Sequence, residues 1–369
     1  MFGLTKFVAF IATAVAAQQC QLQSSIEIGK DTPLSLTFNG DAPFSRTISQ
    51  AGATYTSIHF DALNVPAGAT VTISSLDGKE SVKFAGGESR RDLFADWISG
   101  SDAVLTYEAP VYSKQASPVF VVDKVTFGKP NSPLESICGQ DDSKPTQCYA
   151  ADAAKQKSAL RSARAGSGSE GHMMTNNHCI KSADDAKNVQ VELGAQCAKC
   201  DDPLNKKQLA CKGTIVATNA TLIVTDPAND FALVKLNIKE DVDIKKWGYL
   251  QIRPDGPKLG EEIHIIGNPK GWPQHAAIVV DTGLPGVVTN MSIPSCQDDE
   301  FGYELDTQGG NSGSPVFSTK DNVVVGLHNC GGCPDDGPNG GIKINKVLDI
   351  LKKNNAVPKD AIAGDKPAC

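Results

Sequence analysis

Apolar side chains alternate with polar ones in short runs between about residues 20 and 130. Val71 and Ile73 flank a polar position, and Val125 and Phe127 do the same within a strand-like run at residues 119–127. Segments rich in glycine, aspartate, asparagine and proline separate the runs. Because alternate residues of a β-strand face opposite sides of a sheet, this period is typical of half-buried strands. Regularly spaced short strands with such turns predict a β-sandwich.

A second series of strand-like runs follows a polar, proline-containing segment at residues 128–149. That composition is expected of a linker between domains. We interpret the later runs as a double β-barrel. They lie at residues 190–193, 213–216, 222–224, 231–236, 263–266, 277–280, 315–317 and 323–327.

Near the C-terminus the apolar residues recur at the spacing of a helix. Val347, Ile350 and Leu351 would share one helix face, with two lysines at its C-terminal end and Asn345 as its N-cap. The predicted fold class is therefore all-β: an N-terminal β-sandwich-like domain, a C-terminal double β-barrel and a short C-terminal helix.

A chain of 369 residues is long enough for two domains. We expect a signal peptide because an early lysine, Lys6, precedes an apolar run that ends in small residues at Ala16 and Ala17. This run is too short to span a bilayer. The predicted organisation is a signal peptide at 1–17, a β-rich accessory or pro-domain at 18–130, the barrel domain at 131–355 and a C-terminal tail at 356–369.

The formal net charge of -7 gives the chain no evident affinity for nucleic acid or for an anionic membrane. Polypeptides are the expected partners, and an extracellular location follows from the predicted signal peptide. The sequons at Asn219 and Asn290 fit glycosylated surface loops.

Eleven cysteines predict a disulfide framework with one thiol left over. Two CxxC pairs, Cys197/Cys200 and Cys330/Cys333, leave a four-thiolate zinc site open as an alternative. An oxidising compartment favours disulfides over that site.

Three separated segments carry candidate chemistry. His178 ends a short apolar run, Asp230 opens a buried-looking strand, and Ser312 lies in the glycine-rich sequence Gly309-Gly-Asn-Ser-Gly-Ser-Pro315. A serine hydroxyl becomes an effective nucleophile when an imidazole accepts its proton. An aspartate on the other ring nitrogen orients that imidazole and stabilises its charged form. The three residues are thus the predicted catalytic set, and this chemistry needs no cofactor and no metal.

The order His178, Asp230, Ser312 separates two folds that share this chemistry. α/β-Hydrolases run serine, acid, histidine, whereas chymotrypsin-like barrels run histidine, aspartate, serine. The hydrolase elbow also requires glycine where this chain has Ser314. The three segments resemble the histidine, aspartate and serine boxes of trypsin-like (chymotrypsin-fold) serine endopeptidases. In detail they are similar to the bacterial lysyl and glutamyl branch, over roughly residues 135–355. The resemblance implies that 131–355 is a trypsin-like serine protease domain.

The same resemblance implies further site residues. Backbone N–H groups of Gly310 and Ser312 would form the oxyanion hole. Asp306, six residues before the serine, would occupy the floor of the primary specificity pocket and select lysine or arginine. His328 is either a group that recognises an acidic substrate side chain, as in the glutamate-selective relatives, or a packed barrel histidine.

Other predicted pocket residues lie in the strand and loop after His328. Asn329 and Gly331 would line the pocket wall, and Asp335 and Asp336 follow in the loop where the lysyl branch has its substrate-binding aspartate. We expect cleavage after basic residues, with glutamate specificity as the alternative. Cys138 and Cys148 resemble the cysteines that staple the N-terminus of lysyl relatives to the body.

Three rival interpretations remain. One is a catalytically silent secreted binding protein that keeps the barrel as an interaction surface, and another is a zinc-stapled module. The third is a cysteine protease that uses Cys179 beside His178. Adjacent residues on one strand point apart, which disfavours the third.

Overall fold

The computed structural model describes residues 29–128, 135–152, 170–333 and 337–364. The predicted signal peptide lies outside the described residues, as do Cys20, Cys369, Asp335 and Asp336. Within the described part, no helix is both long and apolar enough to cross a bilayer.

Nine strands form two antiparallel sheets in the N-terminal part. They are β1 (Gly29–Phe38), β2 (Phe44–Ser49), β3 (Tyr55–Asn64), β4 (Thr70–Ser74), β5 (Ser81–Ala85), β6 (Ser89–Phe94), β7 (Ile98–Ser99), β8 (Asp102–Glu108) and β9 (Phe120–Gly128). One sheet has the order β1-β9-β3-β6, with β7 also paired to β3, and the other has the order β2-β8-β4-β5.

The predicted two-residue period is visible in the burial of these strands. In β4, Val71 and Ile73 are buried between partly exposed threonine and serine residues. Strand β8 alternates in the same way. The inward-facing side chains of both sheets pack into one core, whose fully buried members include Ile58, Phe60, Leu105, Tyr107 and Phe120.

Fourteen strands follow in the described C-terminal part. They are β10 (Glu135–Ser136), β11 (Lys144–Pro145), β12 (His172–Thr175), β13 (Val191–Leu193), β14 (Thr214–Asp226), β15 (Phe231–Ile238), β16 (Ile263–Gly267), β17 (His275–Ala277), β18 (Asn290–Ile293), β19 (Glu300–Tyr303), β20 (Thr307–Gln308), β21 (Pro315–Ser318), β22 (Val324–Cys330) and β23 (Asn339–Lys343). Two α-helices accompany them, α1 (Ala183–Lys187) and α2 (Ile344–Lys353), with short 3-10 helices at Thr146–Tyr149, Pro203–Lys206, Pro227–Asn229, Ile244–Trp247 and Pro269–Gly271.

These strands build two main sheets, and one apolar cluster contains buried residues of both, among them Phe231 and Phe317. The first has the order β12-β15-β14-β13, and the second the order β11-β17-β16-β21-β22-β23-β19-β18. Strand β22 is buried along its whole length in the second sheet. A two-stranded sheet pairs β10 with β20, just before the predicted nucleophile loop. The predicted all-β class with a short C-terminal helix is confirmed.

Helix α2 packs its apolar face on the second sheet, where Ile344, Val347, Leu348 and Leu351 are buried. The predicted N-cap was wrong. The N-cap is Lys343, which makes no side-chain capping hydrogen bond, and Asn345 lies within the first turn.

In the described part of the chain, Lys212 and Lys239 contact residues of the N-terminal part. Lys212 Nζ lies 2.5 Å from Glu80 Oε2 and 3.7 Å from the centroid of the Trp97 ring. Lys239 Nζ lies 3.2 Å from Asp96 Oδ2. The predicted boundary at 130/131 falls in residues 129–134, which are outside the described part.

Candidate active site

Asp230 and His178 meet because β12 pairs with β15. Thr175, the last residue of β12, lies opposite Ala232, so the turn that follows β12 reaches the start of β15. Asp230 closes the 3-10 turn Pro227–Asn229 with φ 43° and ψ 50°. Aspartate tolerates this left-handed conformation better than most residues.

The Asp230 carboxylate binds His178 twice. Its Oδ2 lies 2.5 Å from His178 Nδ1, and its Oδ1 accepts the backbone N–H of His178 at 2.7 Å. Asn176 Nδ2 donates to the backbone carbonyl of Asp230 at 3.1 Å. With Nδ1–H donated to the carboxylate, the other ring nitrogen, Nε2, is left as the basic atom.

Burial tends to lower the pKa of His178, but hydrogen bonding to Asp230 and the neighbouring Cys179 outweighs it and raises that pKa above its ordinary value. Cys179 contacts the ring because residues 177–179 form a turn and not a strand. The expectation that these two side chains point apart was therefore wrong. Cys179 is exposed and is the free cysteine of the described residues.

The nucleophile loop lies against the histidine segment. A Cβ on Gly313 would come 2.6 Å from Thr175 Oγ1, three residues before His178. The loop is also held to β22, since Gly313 N–H donates to the carbonyl of His328 at 2.9 Å. Ser312 is half-buried in a turn, and its hydroxyl makes no hydrogen bond to His178 among the described residues. Such contacts are often long before substrate binds and tighten in the reacting complex.

The predicted oxyanion donors remain unengaged. Gly310 has φ 100°, a conformation that side chains rarely adopt, and this turns the loop backbone just before Ser312. Among the described residues, neither the N–H of Gly310 nor that of Ser312 donates to a protein acceptor. Two free N–H groups beside a serine are what the stabilisation of an oxyanion requires.

Asp306 is buried against the segment that contains Cys138 and Asp142. It is 3% exposed, and its two oxygens accept the backbone N–H groups of Cys138 at 2.9 Å and Asp142 at 2.6 Å. Burial raises the pKa of Asp306 to about 6, although these hydrogen bonds oppose the rise. Its role in binding substrate stays a prediction.

His328 and Asn329 are buried on β22. The Tyr303 hydroxyl lies 2.6 Å from His328 Nδ1 and donates to the carbonyl of Gly340 at 3.0 Å. Burial, reinforced by the nearby His178, lowers the pKa of His328 to about 3, so this imidazole is neutral.

Sequence analysis missed Glu300, which lies behind the predicted pocket wall. Glu300 is 1% exposed, and its Oε1 accepts hydrogen bonds from Asn329 Nδ2 and from the backbone N–H of Gln297. The Ser295 hydroxyl also interacts with this carboxyl group, and Oε2 lies 2.1 Å from where a Cβ on Gly340 would stand. Burial raises the pKa of Glu300 to about 7. The available signal was an acidic residue opening the apolar run Phe301-Gly-Tyr303.

Four disulfides link cysteines of the described part. They are Cys138–Cys333, Cys148–Cys200, Cys197–Cys211 and Cys296–Cys330. The four-thiolate zinc alternative was wrong, because each cysteine of the two CxxC pairs bonds to a cysteine outside both pairs. Asp202 lies near the sulfurs of Cys197 and Cys211, but those sulfurs are bonded to each other and offer no thiolate.

Comparison with known proteins agrees with this geometry. A family model described as a trypsin-like peptidase domain matches residues 166–327. Secreted RxLR effector protein 73 of Plasmopara viticola is 33% identical over 350 residues, which cover 86% of this chain and 84% of that protein. A glutamyl endopeptidase of Staphylococcus aureus is 53% identical over 85 residues, 23% of this chain and 24% of that protein.

Among solved structures, the active form of the Rv3671c protease from M. tuberculosis superposes with a TM-score of 0.35 and 21% identity, covering 53% of this chain and 76% of that one. The assignment depends on the family model and on the long match to the Plasmopara viticola protein. The chain therefore belongs to the same family as that protein, and its C-terminal part is a trypsin-like serine peptidase domain with a chymotrypsin-like fold.

Proposed function

We propose that the protein is a secreted serine endopeptidase in which Ser312 is the nucleophile, His178 the general base and Asp230 its orienting partner. The observation that carries this proposal is the doubly bonded His178–Asp230 pair beside a loop that presents Ser312 with two free N–H groups.

The chemistry follows from these positions. His178 Nε2 accepts the proton of the Ser312 hydroxyl as Oγ bonds to the substrate carbonyl carbon. The carbonyl oxygen takes the negative charge and receives the N–H groups of Gly310 and Ser312. The C–N bond then breaks, the leaving amine takes the proton from His178, and water releases the acyl group by the reverse sequence of proton transfers.

For specificity we propose cleavage after basic residues. The oxygens of Asp306 are occupied by backbone N–H groups. Glu300 is the other acidic group at the pocket wall, and it carries negative charge above its pKa of about 7. It contacts Asn329, which the sequence assigned to that wall, and adjoins Gly340. Asp335 and Asp336 stay predictions, since they lie outside the described residues.

Glutamate specificity is the second candidate. The Tyr303 hydroxyl donates to Gly340 and therefore accepts from His328 Nδ1–H, which leaves Nε2 of His328 without a described partner. A substrate carboxylate near Nε2 would favour protonation and a charged hydrogen bond. The partial match to a glutamyl endopeptidase supports the same candidate.

Secretion is supported by the predicted signal peptide and by the four disulfides, which persist in oxidising compartments. The name of the Plasmopara viticola relative also describes a secreted protein. The N-terminal sheets are proposed as an accessory or pro-domain.

A peptide library cleaved by the purified protein, with Ser312→Ala as the matched control, tests the function and its specificity together. We expect cuts after lysine and arginine from the wild type and none from the variant. Cuts after glutamate would support the second candidate. If neither protein cleaves the library although both are folded and processed, the endopeptidase proposal is refuted and the catalytically silent binding protein is favoured.

A further inference from the structure

A short segment ahead of the barrel runs across the base of the nucleophile loop. This strap, residues 135–148, pairs its strand β10 with β20 of the loop, Glu135 opposite Gln308 and Ser136 opposite Thr307. Further along, β11 pairs with β17. Disulfides fasten the strap at Cys138, to Cys333, and at Cys148, to Cys200.

Asp306 is the centre of the contact between strap and loop. Its two oxygens accept N–H groups four residues apart in the strap, from Cys138 and Asp142, so one carboxylate closes the strap into a turn around itself. Gln308 Nε2 adds a hydrogen bond to Asp141 Oδ2 at 3.1 Å. Asp306 is 3% exposed, and a buried carboxylate with both oxygens matched to fixed donors holds its surroundings in one arrangement.

The chain between Asp306 and Ser312 transmits this constraint. Thr307 and Gln308 are held in β20, and the carbonyl of Gln308 accepts the N–H of Asn311 at 2.9 Å. The carbonyl of Gly309 accepts the N–H of Lys270 at 2.6 Å. Asp306 therefore fixes the first residue of a loop whose later members, Gly310 and Ser312, carry the two free N–H groups.

We propose that Asp306 is a positioning residue: its carboxylate clamps the strap onto the nucleophile loop and thereby holds the N–H groups of Gly310 and Ser312 in the geometry that binds an oxyanion. This inference rests on the proposed peptidase function. It assigns Asp306 to the loop's support and not to recognition of the substrate side chain.

Two variants separate these roles. Asp306→Asn keeps the size of the side chain but turns one oxygen into an NH2 group that faces a backbone N–H, so one strap contact becomes a repulsion between donors. Asp281→Asn is the matched control. Asp281 Oδ1 accepts the N–H of Gln140 at 2.9 Å, so it also anchors the strap, but it lies outside the nucleophile loop.

The first readout is the rate at which a small fluorophosphonate labels Ser312, because this probe has no peptide side chain to fill a specificity pocket. The second is kcat and KM for matched peptides with lysine, glutamate or leucine before the scissile bond. For Asp306→Asn we expect a roughly tenfold to hundredfold fall in labelling rate and in kcat, equal across the three peptides, with KM little changed. Asp281→Asn should retain wild-type values.

Three results would overturn the inference: wild-type labelling by Asp306→Asn, a change in peptide preference with labelling unchanged, or equal losses in both variants. If Asp306→Asn does not fold, Gln308→Met removes the neighbouring strap contact and should lower labelling several-fold; a wild-type rate would then reject the clamp. If the wild-type protein neither takes up label nor cleaves peptides, the peptidase proposal itself is refuted. If the wild type is labelled and Asp306→Asn is labelled at the same rate, only the inference about Asp306 is refuted.

Discussion

The carboxylate of Asp230 holds His178 at two points, the ring Nδ1 at 2.5 Å and the backbone N–H at 2.7 Å. The first contact sets the tautomer of the ring, and the second fixes the backbone from which the ring projects. Because the residue is 4% exposed, water does not compete for these contacts. This pairing leaves Nε2 of His178 as the basic ring nitrogen, the atom that we propose accepts the proton of Ser312.

Asp230→Asn should retain the fold but lose most of the activity. An amide has only one acceptor oxygen and cannot accept from both the ring and the backbone N–H of His178. If its NH2 group faces Nδ1, the ring proton moves to Nε2, which can then no longer act as the base. We expect kcat to fall about 10⁴-fold, the effect of the same change in a serine protease of this mechanism. Steady-state kinetics on one peptide, with circular dichroism to verify the fold, measure this. Activity within tenfold of wild type would rule out Asp230 as the orienting partner.

Gly310→Ala should impair the oxyanion hole. Gly310 has φ 100°, and an added Cβ would come 3.0 Å from the carbonyl oxygen of Asn268, so the loop must turn its N–H away. Loss of one such donor lowers kcat about 10²- to 10³-fold. Gly87→Ala is the control, since Gly87 has φ 96° and open space around it. Equal kcat for the two variants would place the oxyanion donors elsewhere.

Cys179→Ala should extend activity to lower pH. His178 faces Asp230, Cys179 and the neutral His328, and the cysteine contributes to the raised pKa of the imidazole. Catalysis needs His178 neutral, so activity rises as pH passes its pKa. Removing Cys179 lowers that pKa, and the acid limb of kcat/KM should move to lower pH.

A pH profile of Cys179→Ser, which keeps a hydrogen-bonding group, should fall between those of the wild type and Cys179→Ala. If the acid limb of the pH profile stays in place in both variants, Cys179 does not influence the pKa of His178. Complete loss of activity in both would revive the cysteine as nucleophile.

Glu300→Gln should change how stability depends on pH. Burial raises the pKa of Glu300 to about 7, so the folded protein binds a proton that the unfolded chain has already lost. The unfolding free energy of the wild type should therefore decrease from the unfolded pKa near 4.3 up to about 7, by about 3 kcal/mol from this group. Urea denaturation at pH 5 and pH 8, with disulfides intact, measures it. An identical pH dependence in the glutamine variant would contradict the assignment.

The two-residue period predicted the sandwich strands well because burial in Val71 and Ile73 follows directly from which face each residue occupies. The three candidate catalytic segments were equally local, since each occupies one strand end or turn. The strap was not predictable in this way. Its contacts join Cys138 and Asp142 to Asp306, more than 160 residues away, and disulfide pairing cannot be deduced from spacing.

Glu300 illustrates the same limit. In sequence it looks like a surface acid at a strand start, and only the pairing of β19 with β23 brings it behind Gly340. The prediction that the side chains of His178 and Cys179 point apart failed for another reason. The apolar run suggested that both lie on a strand, but the strand ends at Thr175 and the chain then turns.

The most direct test of the proposed nucleophile is to treat the disulfide-intact protein with a fluorophosphonate probe and to locate the label by mass spectrometry. Ser312→Ala serves as the control. We expect a single label on Ser312 of the wild type and none on the variant. A folded and processed wild type that takes up no label, or takes it up equally in the Ser312→Ala variant, would contradict this expectation.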